Sequence, residues 1–227
     1  MRRLLRRRPT SFDIQVQELT LHITASDDYA EESRAAALGF WEQVQSYGLR
    51  HPEFRRSKRP MISLAPDAPQ IVQEMVAAAA AASVGPMFTL RGAVVDQVGR
   101  FLMAQVSELT VGCEGDYFVC SKKRMKIAVK RRGGPPFTVV IEGDRSGVGV
   151  ATTTDRGRVE NGLDGLAVVA SSCMLADAVA AGIQALMAKP DGFSQALVYL
   201  KQVPGVLGGI VMAGERIGVA GGVEIAA

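Results

Sequence analysis

An α+β fold with an antiparallel or mixed sheet is what this chain predicts, on three observations. Short alternating apolar runs lie near both ends, helix-like segments lie between them, and 48% of the 227 residues are hydrophobic while only 6% are aromatic. Strands near both termini with helices between them suggest a sheet that joins early and late strands. The 24 glycines suit tight turns and Ala-rich helices in a compact body. Residues 1–11 read as a basic tail expected to be mobile, and residues 12–227 as a single domain large enough to bury a core. No internal repeat is present.

The elements follow in order. Phe12, Ile14 and Val16 alternate with polar residues, and Leu19, Leu21 and Ile23 alternate in the opposite parity. The switch at Gln17 and Glu18 predicts a bulge or tight turn between two strands. Ser26, Asp27 and Asp28 offer a cap to a surface helix in which Tyr29, Ala36, Phe40, Val44 and Tyr47 recur at helical spacing before Gly48. Residues 49–69 hold Pro52, Pro60, Pro66 and Pro69 and the cluster Arg55, Arg56, Lys58 and Arg59, so an irregular surface connection is expected. Asp67 and Pro69 open a second helix through Ile71, Val72, Met75 and Val76, which residues 83–86 end. Gly92 reads as the start of a third, with Val94, Val98, Phe101, Leu102 and Val106 on one face.

The second half changes character. Residues 109–111, 117–120, 126–130, 137–142, 147–152 and 166–170 are short apolar or alternating runs between Gly, Pro or charged turns, hence strands. Residues 173–188 predict a helix capped by Ser171 or Ser172, with Leu175, Val179, Ile183 and Leu186 on one face and a stop at Pro190. A further helix is expected over 193–200, and the Gly-rich tail from 208 onward reads as two or three strands.

The formal charge of +3 is concentrated at one end. Arg2, Arg3, Arg6, Arg7 and Arg8 account for it, and without them 21 basic residues face 23 acidic ones. A second basic run, Lys122, Lys123, Arg124, Lys126, Lys130, Arg131 and Arg132, brackets a short apolar strand and lacks interleaved aromatics. It is a poor single-strand nucleic-acid platform, a protected edge strand explains it at least as well, and no specific nucleic-acid binding is expected. No apolar run has signal-peptide or membrane-span length. Cys113, Cys120 and Cys173 stand at no metal-like spacing, which predicts reduced thiols in the cytoplasm.

The candidate chemistry begins between Val84 and Asp116. A Gly-flanked helix start, a strand and a Gly-Asp turn place backbone amides and the carboxylates of Asp96 and Asp116 at loop ends, where α/β proteins build anion or nucleotide sites. Asp96 also fits any amphipathic helix, and Asp116 after Gly115 fits an Asx turn. Asp177 sits one turn inside a helix N-terminus, where an Asp is favoured without a ligand. Thr152, Thr153 and Thr154 either finish a strand or present hydroxyls to a phosphate ahead of Asp155 and Gly157. Cys113 reads as a packing residue.

Several motifs are similar to those of the uncharacterised ApbE-like family, relatives of the flavin transferases that move FMN from FAD onto proteins. L-R-G-A-V-V-D at 90–96 resembles the K-G-x-x-x-D helix start, 111–116 the strand and G-G-D turn, and L-A-D-A at 175–178 the A-D-A helix near the metal site. H-P-E-F-R-R-S-K-R-P at 51–60, A-P-D-A-P-Q-I-V-Q-E-M at 65–75 and V-G-P-M at 84–87 resemble the uncharacterised members more closely. The resemblance implies an ApbE-like, T-fold-like domain with an antiparallel sheet and packed helices. It implies FAD or FMN as ligand, Mg²⁺ held by Asp177, and a flavin or nucleotide contacted by Gly92, Asp96, Gly115, Asp116, Thr152, Thr153 and Thr154. A homo-oligomer is the expected assembly.

Cleaving a pyrophosphate requires a hard cation on oxygen ligands and donors for developing negative charge. Here the sequence departs from the transferases. Ala181 stands where a metal-ligating Thr follows the Asp by four residues, Glu114 takes the first Gly position of the turn, and no His follows the threonine run. Three readings stay open: a metal-dependent transferase or hydrolase, a binding protein that has lost the metal chemistry, and an oligomeric scaffold.

Overall fold

The computed structural model describes residues 9–154 and 161–226. Arg2 to Arg8, and Asp155 and Gly157 beyond the threonine run, lie outside the described residues. The strands are β1 Thr10–Val16, β2 Leu19–Ala25, β3 Leu109–Cys113, β4 Asp116–Cys120, β5 Met125–Val129, β6 Phe137–Ile141, β7 Val148–Thr152, β8 Gly165–Ala170, β9 Val206–Ala213, β10 Arg216–Gly221 and β11 Glu224–Ala226. The helices are α1 Ala30–Arg50, α2 Pro52–Arg56, α3 Gln70–Ala81, α4 Leu90–Met103, α5 Cys173–Met187 and α6 Gly192–Gln202.

Eight strands form one sheet in the order β1-β2-β3-β4-β7-β8-β9-β10, and β11-β6-β5 form a smaller one. Every pair is antiparallel. The opening parity switch is a tight turn: Val16 pairs with Leu19, and Gln17 takes φ 53°. β5 is an edge strand, as its flanking cations predict. Arg124 beside it bonds Glu142 at 2.8 Å and Glu224 at 2.5 Å.

The large sheet separates two apolar layers. On one side Val119, Val148, Val150, Ala167, Val169, Ile210 and Met212 meet Ile127, Val129, Val139 and Ile141 of the small sheet. On the other, Leu21, Ile23, Val111 and Phe118 meet α1 and α4, and Ala151, Leu166, Val168 and Val211 meet α5 and α6. β7 and β8 are buried along their whole length, which is why they read as continuous apolar runs instead of alternating ones. α1, α2 and α3 close the helical layer through Val44, Tyr47, Phe54, Val72 and Met75. Each such side chain contributes about 1.5–3 kcal/mol on full burial.

Three local readings are corrected. Gly92 is the third residue of α4, which starts at Leu90 after a 3₁₀ turn over Pro86–Thr89; Thr89 Oγ1 donates to Pro86 O at 2.8 Å and stabilises that turn. The connection over 49–69 contains α2, anchored by the buried Phe54. α5 has no single apolar face: Ala176, Asp177, Ala178, Val179, Ala180, Gly182 and Ile183 are all buried, because the sheet, α3, α4 and α6 surround it. Small residues permit that approach, since a Cβ on Gly182 would stand 2.4 Å from the Tyr199 hydroxyl. No single helix among the described residues is long and apolar enough to cross a membrane.

Where α5 begins, its first residues rest on β7. A Cβ on Gly149 would lie 2.1 Å from both Cys173 N and Ser172 C, backbone atoms that cannot swing aside. Gly149→Ala is expected to lower the unfolding free energy by about 3 kcal/mol, measured as a reduced urea midpoint; a loss within experimental error would show that α5 shifts freely on the sheet.

Candidate functional site

α4 and α5 meet at their N-terminal turns, where helical N–H groups have no partner within their own helix. Cys173, the first residue of α5, donates its N–H to Asp96 Oδ1 of α4 at 2.9 Å. Gly92 of α4 donates its N–H to Asp177 Oδ2 of α5 at 3.0 Å. Each helix thus supplies, four residues beyond its own capped N–H, the carboxylate that caps the other. Only a glycine fits at 92, where a Cβ would stand 2.5 Å from Cys173 O and 2.9 Å from Asp177 Cβ. Ser172 completes the start of α5 by accepting from Leu175 N at 3.2 Å.

Asp96 is wholly buried, and its Oδ2 accepts from Arg100 Nη2 at 2.5 Å. Burial pushes this carboxyl above its ordinary value, against the pull of Arg100 and the Cys173 N–H. Arg100 also bonds Glu74 at 2.9 Å, and Glu74 accepts from Gln97 at 2.8 Å. This network faces α3. Asp96 lines neither of the two cavities described next.

Those cavities lie on opposite faces of the large sheet. Register decides the faces: Asp116, Phe118 and Cys120 point toward α4, while Tyr117 and Val119 point toward the small sheet. On the small-sheet side a cavity of about 490 Å³ is lined by Thr20, His22, Glu114, Gly115, Tyr117, Ala128, Lys130, Thr152, Thr153 and Thr154. On the helical side a cavity of about 360 Å³ is lined by Glu18, Leu19, Trp41, Met87, Phe88, Leu90, Arg91, Asp177, Ala181 and Gln184. The first is bordered by the two-residue turn Glu114-Gly115, closed by the Cys113 and Asp116 pair. Both turn residues have positive φ, 44° and 92°, as this hairpin type demands. A Cβ on Gly115 would meet Thr154 Cγ2 at 2.4 Å.

Arg91 links the two sides. Its Nε donates to Asp116 Oδ2 at 2.5 Å and its Nη1 to Glu114 Oε2 at 3.3 Å, with the Asp116 side chain fully buried and that of Arg91 29% exposed. Burial opposes the guanidinium charge, but Asp116 and Asp177 more than offset it and hold the group firmly protonated. Glu114, the departure from the G-G-D pattern, is therefore paired with an arginine that it shares with Asp116.

The structure brings Gly115, Thr152, Thr153 and Thr154 together in the first cavity and places Asp177 in the second. Two of the three hydroxyls are already engaged: Thr152 Oγ1 donates to Gly115 O at 3.0 Å, and Thr153 Oγ1 to Lys130 O at 2.6 Å. Sequence reasoning did not single out Arg91, Tyr117, Lys130 or His22 as site residues. Arg91 was legible as the neighbour of Gly92, and Tyr117 from strand parity. His22 is paired with Asp13 across the opening hairpin at 2.7 Å, and only the sheet order carries it to the threonine run. Burial pushes the Tyr117 hydroxyl up, with Asp116 adding to the shift. The Cys113 thiol is pushed up to about 12 by burial, which Arg91 only partly counters.

Comparison with known proteins follows the same lines. A family model described as AbpE bacteria matches residues 2–193. A UPF0280 protein of Methanococcus aeolicus is 27% identical over 223 residues, spanning 90% of this chain and 87% of that one. The flavin transferase ApbE of Vibrio cholerae superposes with a TM-score of 0.63 at 12% identity, over 94% of this chain and 97% of its own. The apo flavinyl transferase ApbE of Pseudomonas stutzeri gives 0.61 at 15%, over 98% and 96%. The ApbE protein of Thermotoga maritima gives 0.62 at 11%, over 94% and 97%. These likenesses show the fold, an α+β arrangement of antiparallel sheets and packed helices.

Two outcomes test this geometry. Asp96→Ala is expected to cost about 2 kcal/mol by leaving the Cys173 N–H unsatisfied, and Asp96→Asn less, because it keeps an acceptor; equal losses in urea titrations would reject the cap. Cys113, Cys120 and Cys173 are all buried, so none should react with a thiol reagent at pH 8 until the protein unfolds; rapid native labelling of Cys113 would contradict its assigned environment.

Proposed function

The chain belongs to the AbpE bacteria family, and from that premise we propose that it binds a flavin or another dinucleotide in a transferase-like cleft without the metal chemistry of a transferase. The observation that carries the reading is a pair of cavities linked through one ion pair, Arg91 of the helical-side cavity bonding Glu114 of the other. One presents Lys130, Tyr117 and the threonine run, donors suited to phosphates. The other sets Trp41, Phe88 and Leu19 beside Asp177 and Gln184, a chemistry suited to a planar ring with hydrogen-bonding edges. A dinucleotide presents both kinds of group. Solved structures of this fold are named as flavin transferases, which favours a flavin over other dinucleotides.

The residues around Asp177 do not fit a Mg²⁺ held by the chain. Mg²⁺ requires oxygen ligands at near-octahedral geometry, yet one oxygen of Asp177 already accepts from the Gly92 N–H. The next turn offers Ala181, which lines the same cavity without a ligating atom. Among the described residues no group of three or more His, Cys, Asp or Glu could hold a metal. Arg91 adds a fixed positive charge in that cavity. The second of the three readings is therefore favoured over a pyrophosphate-cleaving enzyme.

Thermal melting with FAD, FMN and ATP tests the proposal, each with Mg²⁺ and with a chelator. FAD at about 100 times its dissociation constant should add roughly 2.7 kcal/mol, or roughly 5–10 °C, equally in both conditions and with no AMP released. Lys130→Met should weaken FAD binding about tenfold by removing a charge-assisted contact. No shift with any nucleotide would reject the flavin reading, and Mg²⁺-dependent AMP release would replace it with the enzymatic one.

A further inference from the structure

We propose that residues 55–59 form a phosphate-binding rim to the helical-side cavity, so that a ring held there has a phosphate site of its own, apart from the threonine-lined cavity. Four cations, Arg55, Arg56, Lys58 and Arg59, stand exposed within five residues. The acids nearest to them in sequence are engaged elsewhere: Glu53 lies 3.5 Å from His51, and Asp67 bonds Arg50 at 3.0 Å. Among the described residues no carboxylate pairs with any of the four. Like charges crowded in this way repel one another, and a bound anion relieves that cost.

The rim is fixed in place by the protein itself. Phe54 is buried against Tyr47, with ring centroids 5.3 Å apart. The Arg55 stem crosses α1 at Gly48, where a Cβ would stand 2.6 Å from Arg55 Cγ. Ser57 Oγ donates to Arg59 O at 2.6 Å and accepts from Arg59 N at 3.2 Å. The backbone at Ser57 and Lys58 rests on Gly85, where a Cβ would collide with Ser57 O. Directly after Gly85 the 3₁₀ turn carries Phe88 to the cavity, and Lys58 Nζ lies 5.0 Å from the centre of the Phe88 ring. A ligand ring seated against Phe88 therefore has this cation at hand. The other charged groups of the cavity do not serve a phosphate, since Glu18 and Asp177 are acids and Arg91 is held by Asp116 and Glu114. Guanidinium groups match phosphate oxygens in pairs, and an array already in place loses little freedom on binding. Its contact with a cavity favours a small phosphorylated ligand over an RNA or a membrane surface. That the ligand carries a ring rests on the reading of the preceding subsection; the anion site itself does not.

Equilibrium dialysis with FMN and with riboflavin, the same ring with and without a phosphate, tests the rim. The wild-type protein should hold FMN about tenfold more tightly than riboflavin, the gain of one charge-assisted hydrogen bond. Lys58→Gln combined with Arg59→Gln, both at exposed positions, should bring FMN down to the riboflavin level and leave riboflavin unchanged. Lys130→Met, in the other cavity, should preserve the difference between the two flavins. Equal binding of FMN and riboflavin by the wild-type protein, a difference that survives the double variant, or one that Lys130→Met abolishes overturns the proposal. Inorganic pyrophosphate separates this result from the flavin reading. At matched ionic strength it should raise the melting temperature of the wild-type protein and leave that of the double variant unmoved. If neither flavin binds, the ring reading fails and pyrophosphate alone decides the rim: a shift confined to the wild-type protein supports it, and no shift overturns it. Retention of RNA or of anionic vesicles without a pyrophosphate response would make these residues a macromolecular surface, which also overturns the proposal.

Discussion

The reciprocal carboxylate caps between α4 and α5 are the constraint on which the rest of this molecule depends. Two helices that meet N-terminus to N-terminus would each leave N–H groups unsatisfied in a buried interface, at a cost of about 1–3 kcal/mol apiece. Asp96 and Asp177 remove that cost by crossing over, each to the other helix. Both acids also stand where helix dipoles favour negative charge. The close approach this requires is available only because residues 92 and 149 are glycines, one admitting α5 to α4 and the other admitting α5 to the sheet.

Once α5 is seated, the positions of both cavities follow. Asp177 is carried to the helical-side cavity by the same turn that caps Gly92, and Arg91, one residue earlier, is delivered to the acids of the β3-β4 turn. The turn belongs to both faces of the sheet: Glu114 and Gly115 border the threonine-lined cavity while the Glu114 carboxylate reaches the arginine on the far side. Folding and recognition therefore share residues here. A change at Arg91 alters the charge of one cavity and also the support of a buried acid.

Most of the secondary structure was legible because the periodicity is local. The opposed parities of residues 12–16 and 19–23 report one hairpin, and the six short runs of the second half report six strands. Three features escaped for tertiary reasons. α5 carries an amphipathic pattern in Leu175, Val179 and Ile183, yet its other faces are buried too, because alanine and glycine let neighbours approach without adding to the pattern. The start of α4 was placed at Gly92 because glycine signals a boundary, whereas this glycine answers a contact 85 residues away. His22 lines the same cavity as Thr152, though 130 positions separate them in the sequence, and only the order β2-β3-β4-β7 makes them neighbours.

The resemblance to flavin transferases divides along the same boundary between folding and chemistry. Gly92, Asp96 and Asp177 match the transferase motifs, and each has a structural duty at the α4 and α5 junction that would hold with no ligand present. Ala181 and Glu114 are the departures, and neither supports that junction. Ala181 borders a cavity where an oxygen ligand would serve a metal alone. Glu114 sits in a left-handed conformation that a glycine adopts at less cost, and its side chain is used to embrace Arg91. A motif read as a metal site can thus remain largely intact for reasons of helix capping, so its presence argues for the scaffold. The ligands with no folding duty carry the information about chemistry, and in this chain Ala181 stands where one of them would be.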